Sequence, residues 1–114
     1  MTFKLLVPAL TAAFVAGCAT GRESASAGDL AGRTLRMIAT NGQVTTLRFR
    51  DDGMVRARFG GRSLDGRWRI SGRRLCFDWP QARRECWPYR EPFQRGRTRT
   101  VTSDRGNVVR VTMI

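Results

Sequence analysis

The sequence predicts a small all-β domain: an antiparallel meander of about eight strands, forming a curled sheet or an up-and-down barrel and held by one disulfide. Two observations predict this fold. Apolar and polar residues alternate in short runs, with no helical period. Turn signals separate the runs, and the connections are short enough to join neighbouring antiparallel strands. Because a sheet of short strands must hide its edges, curling or closure is expected.

Eight candidate strands follow from these runs. They cover residues 34–39, 43–50, 54–59, 67–71, 74–79, 84–89, 97–103 and 107–113. The pairs at 41–42 (Asn-Gly) and 72–73 (Gly-Arg) are two-residue hairpin signals, and the triplets at 51–53 and 104–106 suit longer loops that end in a left-handed glycine. A turn at 72–73 places Trp68 opposite Phe77 on the inner face.

Five aromatic residues are predicted to cluster in the interior. They are Trp68, Phe77, Trp79, Trp87 and Tyr89. Small barrels fill their interiors with such side chains, so we expect a packed core. The alternative is an apolar cavity of about 300 Å³ or more, which is typical of a small-ligand carrier.

Residues 1–17 have the layout of a secretory signal peptide. Lys4 precedes an apolar run at 5–17 that is too short to span a membrane. The run ends at residues 15–18 in Val-Ala-Gly-Cys, which resembles the lipobox of bacterial lipoproteins. The resemblance implies that Cys18 becomes the lipid-modified first residue of the mature chain. This covalent lipid is the only cofactor that we expect.

The rest of the chain divides into a tether and one domain. Residues 18–29 are rich in Ala, Gly and Ser and predict a flexible, lipid-anchored tether, and residues 30–114 form the β domain. Ala19 directly after the cysteine resembles lipoproteins sent to the outer membrane, so the periplasmic face of that membrane is the expected location. The alternative is an ordinary signal peptide cut after Ala27.

The number of cysteines agrees with export. With Cys18 acylated, Cys76 and Cys86 remain, and an oxidising periplasm predicts a disulfide between them. Closing their short loop stabilises the fold by about 2.8 kcal/mol in the chain-entropy model. If the two cysteines face each other, Asp78 lies between Arg67 and Arg84 on neighbouring strands. Two thiols without any histidine do not make a zinc site, so no metal is expected.

Motifs in the middle of the chain resemble a known group. They are G-x-W at 66–68, L-C-x-x-W at 75–79 and Cys86, and they resemble small secreted alphaproteobacterial proteins of unassigned function. The G-x-W triplet is also similar to the lipocalin signature, which opens the first strand in lipocalins and lies in mid-domain here. That second resemblance implies a calycin-like barrel with an apolar cavity.

Charge is the other unusual feature. The chain has 21 basic and 9 acidic residues, and Lys4 is its only lysine. Alternation places six arginines on the outer face of adjacent strands: Arg48, Arg50, Arg56, Arg58, Arg67 and Arg69. Arg48 and Arg56 are predicted to lie directly opposite each other, which destabilises the sheet unless an anionic group neutralises them. A solvated face without a partner is the alternative.

These features favour a binding protein over an enzyme. The chain has no histidine, and the predicted mature part has no lysine and no free thiol, so the usual bases and nucleophiles are absent. Asp51, Asp52 and Asp65 are expected in turns and Asp78 in an ion pair. We therefore predict a non-catalytic interaction module in the envelope that binds an anionic glycolipid or an envelope protein, and not nucleic acid; the alternative is the ligand carrier.

Overall fold

A computed structural model of the chain describes residues 25–114. These residues form an eight-stranded antiparallel sheet curled into a nearly closed barrel, which confirms the predicted fold class. The strands are β1 (Thr34–Ala39), β2 (Val44–Phe49), β3 (Met54–Phe59), β4 (Arg62–Ser71), β5 (Arg74–Asp78), β6 (Glu85–Pro88), β7 (Thr98–Thr102) and β8 (Val108–Met113). The predicted signal peptide and Cys18 lie outside the described residues. No helix within 25–114 is long and apolar enough to cross a membrane.

The strand order brings the two edges of the sheet together in one seam. Strands β1 to β6 form a continuous meander, and the β7–β8 hairpin joins β1 through β8, so β6 and β7 are the edges. The Cys86 backbone N–H donates to the Asp104 carboxylate, and the Asp104 N–H donates to the Cys86 carbonyl, both at 2.9 Å. These two hydrogen bonds join β6 to the turn that follows β7, and they satisfy backbone groups at the sheet edge that are otherwise unpaired.

The predicted pairing in the middle of the sheet is confirmed. Trp68 lies opposite Phe77 between β4 and β5, and Arg67 lies opposite Asp78. Cys76 lies opposite Cys86 between β5 and β6, and the two form a disulfide. The two-residue turn at 72–73 therefore fixed the register of this part of the sheet, as hairpin turns do.

Strand β4 begins at Arg62, earlier than the predicted start at residue 67. Gly60 and Gly61 both have positive φ, 54° and 78°, the conformation of a two-residue hairpin turn, so the chain re-enters the sheet at once. Asp65 and Gly66, expected in a turn, lie inside β4 and pair with β3. The prediction of a turn there is wrong because Gly66 serves side-chain packing and not chain reversal.

The chain enters the barrel through a short cap. Residues 27–29, which the sequence assigns to the tether, form one turn of 3-10 helix in which the Ser26 backbone N–H donates to the Asp29 carboxylate at 2.8 Å. Leu30 follows and is completely buried. The described part of the chain thus begins packed against one end of the barrel.

The barrel has two ends that are filled differently. The closed end is formed by residues 25–33, the turns at 50–53 and 72–73, and the connection 89–97. The open end is formed by the turns at 40–43, 60–61, 79–84 and 103–107. Strand direction assigns each turn to its end, because antiparallel neighbours reverse at alternate ends.

The closed end contains the most deeply buried core. Leu30, Phe49 and Tyr89 are at most 1% exposed. Phe49 meets Trp68 edge to face with ring centroids 5.2 Å apart, and Tyr89 stacks on Phe93 at 5.3 Å. The Trp68 indole N–H donates to the Arg50 carbonyl at 3.0 Å, so burying this indole leaves no unpaired donor.

Candidate functional site

The first candidate site is the arginine face, defined as the six outward arginines of β2, β3, β4 and the residue after β2. They are Arg48, Arg50, Arg56, Arg58, Arg67 and Arg69. Five are exposed and Arg56 is partly exposed, and the side chains between them in sequence point inward. The period-2 alternation of a strand is the physical reason that all six share one surface.

One pair of arginines on this face is partly neutralised from within the sheet. Arg48 lies directly opposite Arg56, as predicted. Arg56 donates two hydrogen bonds to the Asp65 carboxylate, from Nε at 2.8 Å and from Nη2 at 3.2 Å. These bonds raise the pKa of Arg56 and lower the pKa of Asp65. The sequence-based prediction missed this contact because it placed Asp65 in a turn, and the signal that could have found it is Gly60-Gly61.

Among residues 25–114, carboxylates pair with only two members of the arginine face, Arg50 and Arg56. Arg50 forms an ion pair with Asp52 at 2.9 Å, and Asp78 pairs with Arg84 at 2.8 Å. Hydrogen bonding from Arg84 lowers the pKa of Asp78, with a smaller contribution from Arg67. Within residues 25–114, four members of the face form no ion pair: Arg48, Arg58, Arg67 and Arg69.

The second candidate site is the open-end pocket, a cavity of about 430 Å³. Leu47 and Phe77 are the most buried of its lining residues, and Trp79, Trp87 and Met37 contribute further apolar surface. The other lining residues are Ala39, Thr40, Asn41, Glu85, Gly106, Asn107, Val108 and Val109. This volume is within the range of small-ligand sites.

The aromatic side chains of the open-end pocket have a defined geometry. Trp79 stacks on Phe77 with centroids 5.8 Å apart and planes 9° from parallel, whereas Trp87 meets Phe77 nearly edge-on at 4.9 Å. Trp79 also lies against Gly66, where an added Cβ would contact the indole ring. Four of the five predicted core aromatics are buried; Trp79 is half-buried because it stands at the mouth of the barrel.

Among the described residues that line the open-end pocket, Glu85 is the only ionisable one. Its Oε2 accepts a hydrogen bond from the Asn107 side-chain amide at 2.7 Å. Of the described residues that line this pocket, none is basic. The pocket is thus an aromatic and weakly acidic recess in a strongly basic chain.

Tyr89 is chemically distinct but belongs to the core. Its hydroxyl is buried and has no hydrogen-bond partner among the described residues. Burial, together with the nearby Asp29 carboxylate, raises the pKa of Tyr89 to about 12. The phenol therefore stays neutral at physiological pH and acts as packing at the closed end.

The arrangement is suited to binding by charge and by shape. Across residues 25–114, no group of three or more His, Cys, Asp or Glu side chains converges to hold a metal ion. Cys76 and Cys86 are joined in the disulfide, so neither is a thiol nucleophile. No family model, curated protein or solved structure matches the chain.

Proposed function

We propose that the protein is a non-catalytic, lipid-anchored binding module of the bacterial envelope that docks on an anionic surface through the arginine face. The observation that carries this proposal is the surface itself: six arginines on adjacent strands, four of them without an ion pair among the described residues. Guanidinium groups bind phosphate and carboxylate with two parallel hydrogen bonds. An anionic partner also relieves the repulsion between Arg48 and Arg56.

A lipid on Cys18 supports the same function. A diacylglycerol on Cys18 brings two acyl chains, which suffice for stable membrane attachment, so the arginine face would determine which anionic surface the anchored domain contacts. The described chain starts at the closed end, so an anchor upstream of residue 25 holds that end nearer the bilayer. The expected surface is the periplasmic face of the outer membrane, where anionic lipids and glycolipids present phosphate groups. An acidic envelope protein is the other partner class, and nucleic acid is not expected in this compartment.

Vesicle binding tests the arginine face. We expect residues 19–114, which lack the signal peptide and the lipid, to bind vesicles that contain phosphatidylglycerol or lipopolysaccharide and not to bind vesicles of phosphatidylcholine. Binding should fall steeply as salt shortens the screening length from about 10 Å at 0.1 M to about 3 Å at 1 M. Replacing Arg48, Arg58 and Arg67 together with Gln should weaken it strongly, because these arginines have no internal partner among the described residues.

The matched control removes the same charge elsewhere. Arg83, Arg95 and Arg105 are exposed residues of connecting loops outside the arginine face. Their triple replacement with Gln should change vesicle binding much less. Equal losses in both triple variants would show that only net charge matters, and binding that salt does not affect would contradict the proposal.

The lipid anchor is tested separately. Cys18→Ser should leave an unprocessed precursor or release the protein from membranes, and mass analysis of the wild-type protein should find diacylglycerol on Cys18. Recovery of the wild type as a soluble chain that begins at Gly28 would contradict the anchor, while the vesicle experiment would still decide on the arginine face.

The second candidate function is a small-ligand carrier. The observation that favours it is the open-end pocket, a cavity of about 430 Å³ whose walls are largely aromatic and aliphatic, as is typical of ligand sites. Phe77 and Trp87 belong to the core and also line this pocket, and Trp79 adds a half-buried ring at its mouth. Docking through the outer face and binding inside the barrel use different residues, so one protein can do both.

A further inference from the structure

We infer that the open-end pocket binds a small organic cation with an aromatic or branched alkyl body. This inference rests on the ligand-carrier candidate and adds the chemical class of the ligand. Three features of the pocket carry it: the aromatic walls, one carboxylate, and a lining that includes no arginine among residues 25–114.

The aromatic walls favour a cation over an anion. Trp79 and Trp87 line the pocket and both contact Phe77, so their rings are held in place from one side. The faces of indole rings carry negative potential and attract ammonium groups, more strongly when the site is shielded from water. The Trp79 ring also packs closely against Gly66, where an added Cβ would collide with it. The wall is thus built before a ligand arrives, which lowers the entropy cost of binding.

Glu85 supplies the charge that such a ligand needs. Asn107 holds one carboxylate oxygen at 2.7 Å, which leaves Oε1 for a ligand. Glu85 precedes Cys86, whose backbone is clasped to Asp104 and whose side chain is cross-linked to Cys76. The carboxylate is therefore fixed between a disulfide-linked strand and the turn that carries Asn107, a supported geometry for recognition.

The distribution of basic residues argues against an anionic ligand. The chain has 21 basic residues, yet none of the described residues that line this pocket is one of them. An anionic ligand would face the Glu85 carboxylate and would find no guanidinium group there. A neutral ligand would desolvate Glu85 without compensating its charge, which is unfavourable.

Three probes of similar shape test this class. The probes are benzyltrimethylammonium, its neutral carbon isostere neopentylbenzene, and the anion hydrocinnamate. Binding to the full chain is followed by the NMR signals of the indole N–H groups. We expect the cation to shift Trp79 and Trp87 while Trp68, bonded to the Arg50 carbonyl at the closed end, does not move. The cation should bind about tenfold more tightly than the isostere, a difference of ~1.4 kcal/mol.

A charge-removing variant and a matched control complete the test. Glu85→Gln keeps an oxygen that accepts from Asn107, so it should preserve the fold, weaken binding of the cation by about tenfold and leave binding of the neutral isostere equal or tighter. Glu91→Gln makes the same charge change on the 89–97 connection at the closed end and should change the binding of neither the cation nor the isostere. If isostere and cation bind equally and Glu85→Gln has no effect, the ligand class is wrong while the pocket remains a ligand site. If none of the probes shifts Trp79 or Trp87, the ligand-carrier candidate falls as well.

Discussion

The closed end and the open end of the barrel are built from the same eight strands, yet only one of them is filled. At the closed end, segments outside the strands insert side chains into the interior: Leu30 from the entry segment, and Tyr89 and Phe93 from the 89–97 connection. At the open end, the described turns contribute Thr40, Asn41 and Gly106 to the rim of a cavity. Strand alternation thus determines which side chains point into the barrel. The connecting segments determine whether each end of the barrel interior is covered by further side chains.

We infer that the closed end serves mainly the stability of the fold and that the open end serves binding. Leu30, Phe49 and Tyr89 at the closed end are at most 1% exposed and hold the sheet together, so substitutions there should be costly. The open end keeps aromatic surface accessible at Trp79, where a ligand can reach it. The arginine face lies outside both ends and contributes charge, since its members are mostly exposed and few are paired within the described residues.

The largest expected effect comes from deleting a side chain at the closed end. Phe49 is completely buried and contacts Trp68 and Phe77, so Phe49→Ala should lower the free energy of unfolding by about 3–5 kcal/mol. Met37→Ala removes a half-buried side chain beside an existing cavity and should cost clearly less. Denaturant unfolding of both variants measures the comparison, and equal losses would show that the two ends do not differ.

Alkaline pH should destabilise the closed end through Tyr89. The pKa of this phenol is raised to about 12, whereas tyrosine in an unfolded chain titrates near pH 10. The contribution to stability is therefore complete below about pH 10, and it is lost as pH rises from about 10 to 12, by up to ~2.7 kcal/mol. Tyr89 is the only tyrosine, so tyrosinate absorbance reports on it alone.

The control for this titration is Tyr89→Phe. It removes a buried hydroxyl that has no partner among the described residues, so it should leave stability at neutral pH equal or higher and abolish this component of the alkaline loss. Ionisation of Tyr89 near pH 10 in the folded wild type would be evidence against a sealed closed end.

An added methyl group at Gly66 should affect the open end with a smaller cost. The new Cβ of Gly66→Ala would meet the Trp79 ring and would lie 2.8 Å from the Asp78 carbonyl oxygen, so one of them must move. We expect a loss of about 1–3 kcal/mol, as for overpacking elsewhere, together with a changed Trp79 fluorescence. Gly28→Ala is the matched control, because its Cβ would have only the Ser26 hydroxyl nearby, at 3.8 Å. A fully stable Gly66→Ala would mean that Trp79 is free to move.

The smallest expected effect is on the arginine face. Arg48→Gln should change the free energy of unfolding by no more than about 0.5 kcal/mol, because exposed substitutions seldom do more. Any change should be a gain, since the variant removes a like charge opposite Arg56. Asp65→Asn should act in the other direction by leaving Arg56 without its ion pair. Thermal unfolding of the two variants decides the sign, and a large loss in Arg48→Gln would mean that this face is structural.

The sequence predicts most of the strands because local signals and tertiary structure agree there. Alternation and the turn at 72–73 place Trp68 opposite Phe77 and Cys76 opposite Cys86. The start of β4 was missed because a glycine has two structural uses. Gly60-Gly61 reverses the chain, whereas Gly66 makes room for a ring from a distant loop, and a single sequence does not distinguish the two.

The parts of the candidate sites that follow from strand alternation were predictable from the sequence. The parts that depend on how the sheet closes into a barrel were not. The outward arginines follow from the two-residue repeat of a strand, so all six positions were found. The bond from Arg56 to Asp65 needed the correct start of β4. The open-end pocket depends on how β6 and β7 meet and on what the turn at 103–107 brings to Glu85, and these are long-range contacts without a local signal.

Exchange of the three tryptophan indole protons with deuterium tests the asymmetry of the barrel most directly. Trp68 donates its indole N–H to the Arg50 carbonyl inside the closed end, whereas neither Trp79 nor Trp87 donates its own to another described residue. We expect Trp68 to exchange only by global unfolding, about a thousandfold or more slowly than Trp79, the half-buried tryptophan at the mouth of the open-end pocket. A Trp68 proton that exchanges as fast as that of Trp79 would contradict the division into a sealed end and a binding end.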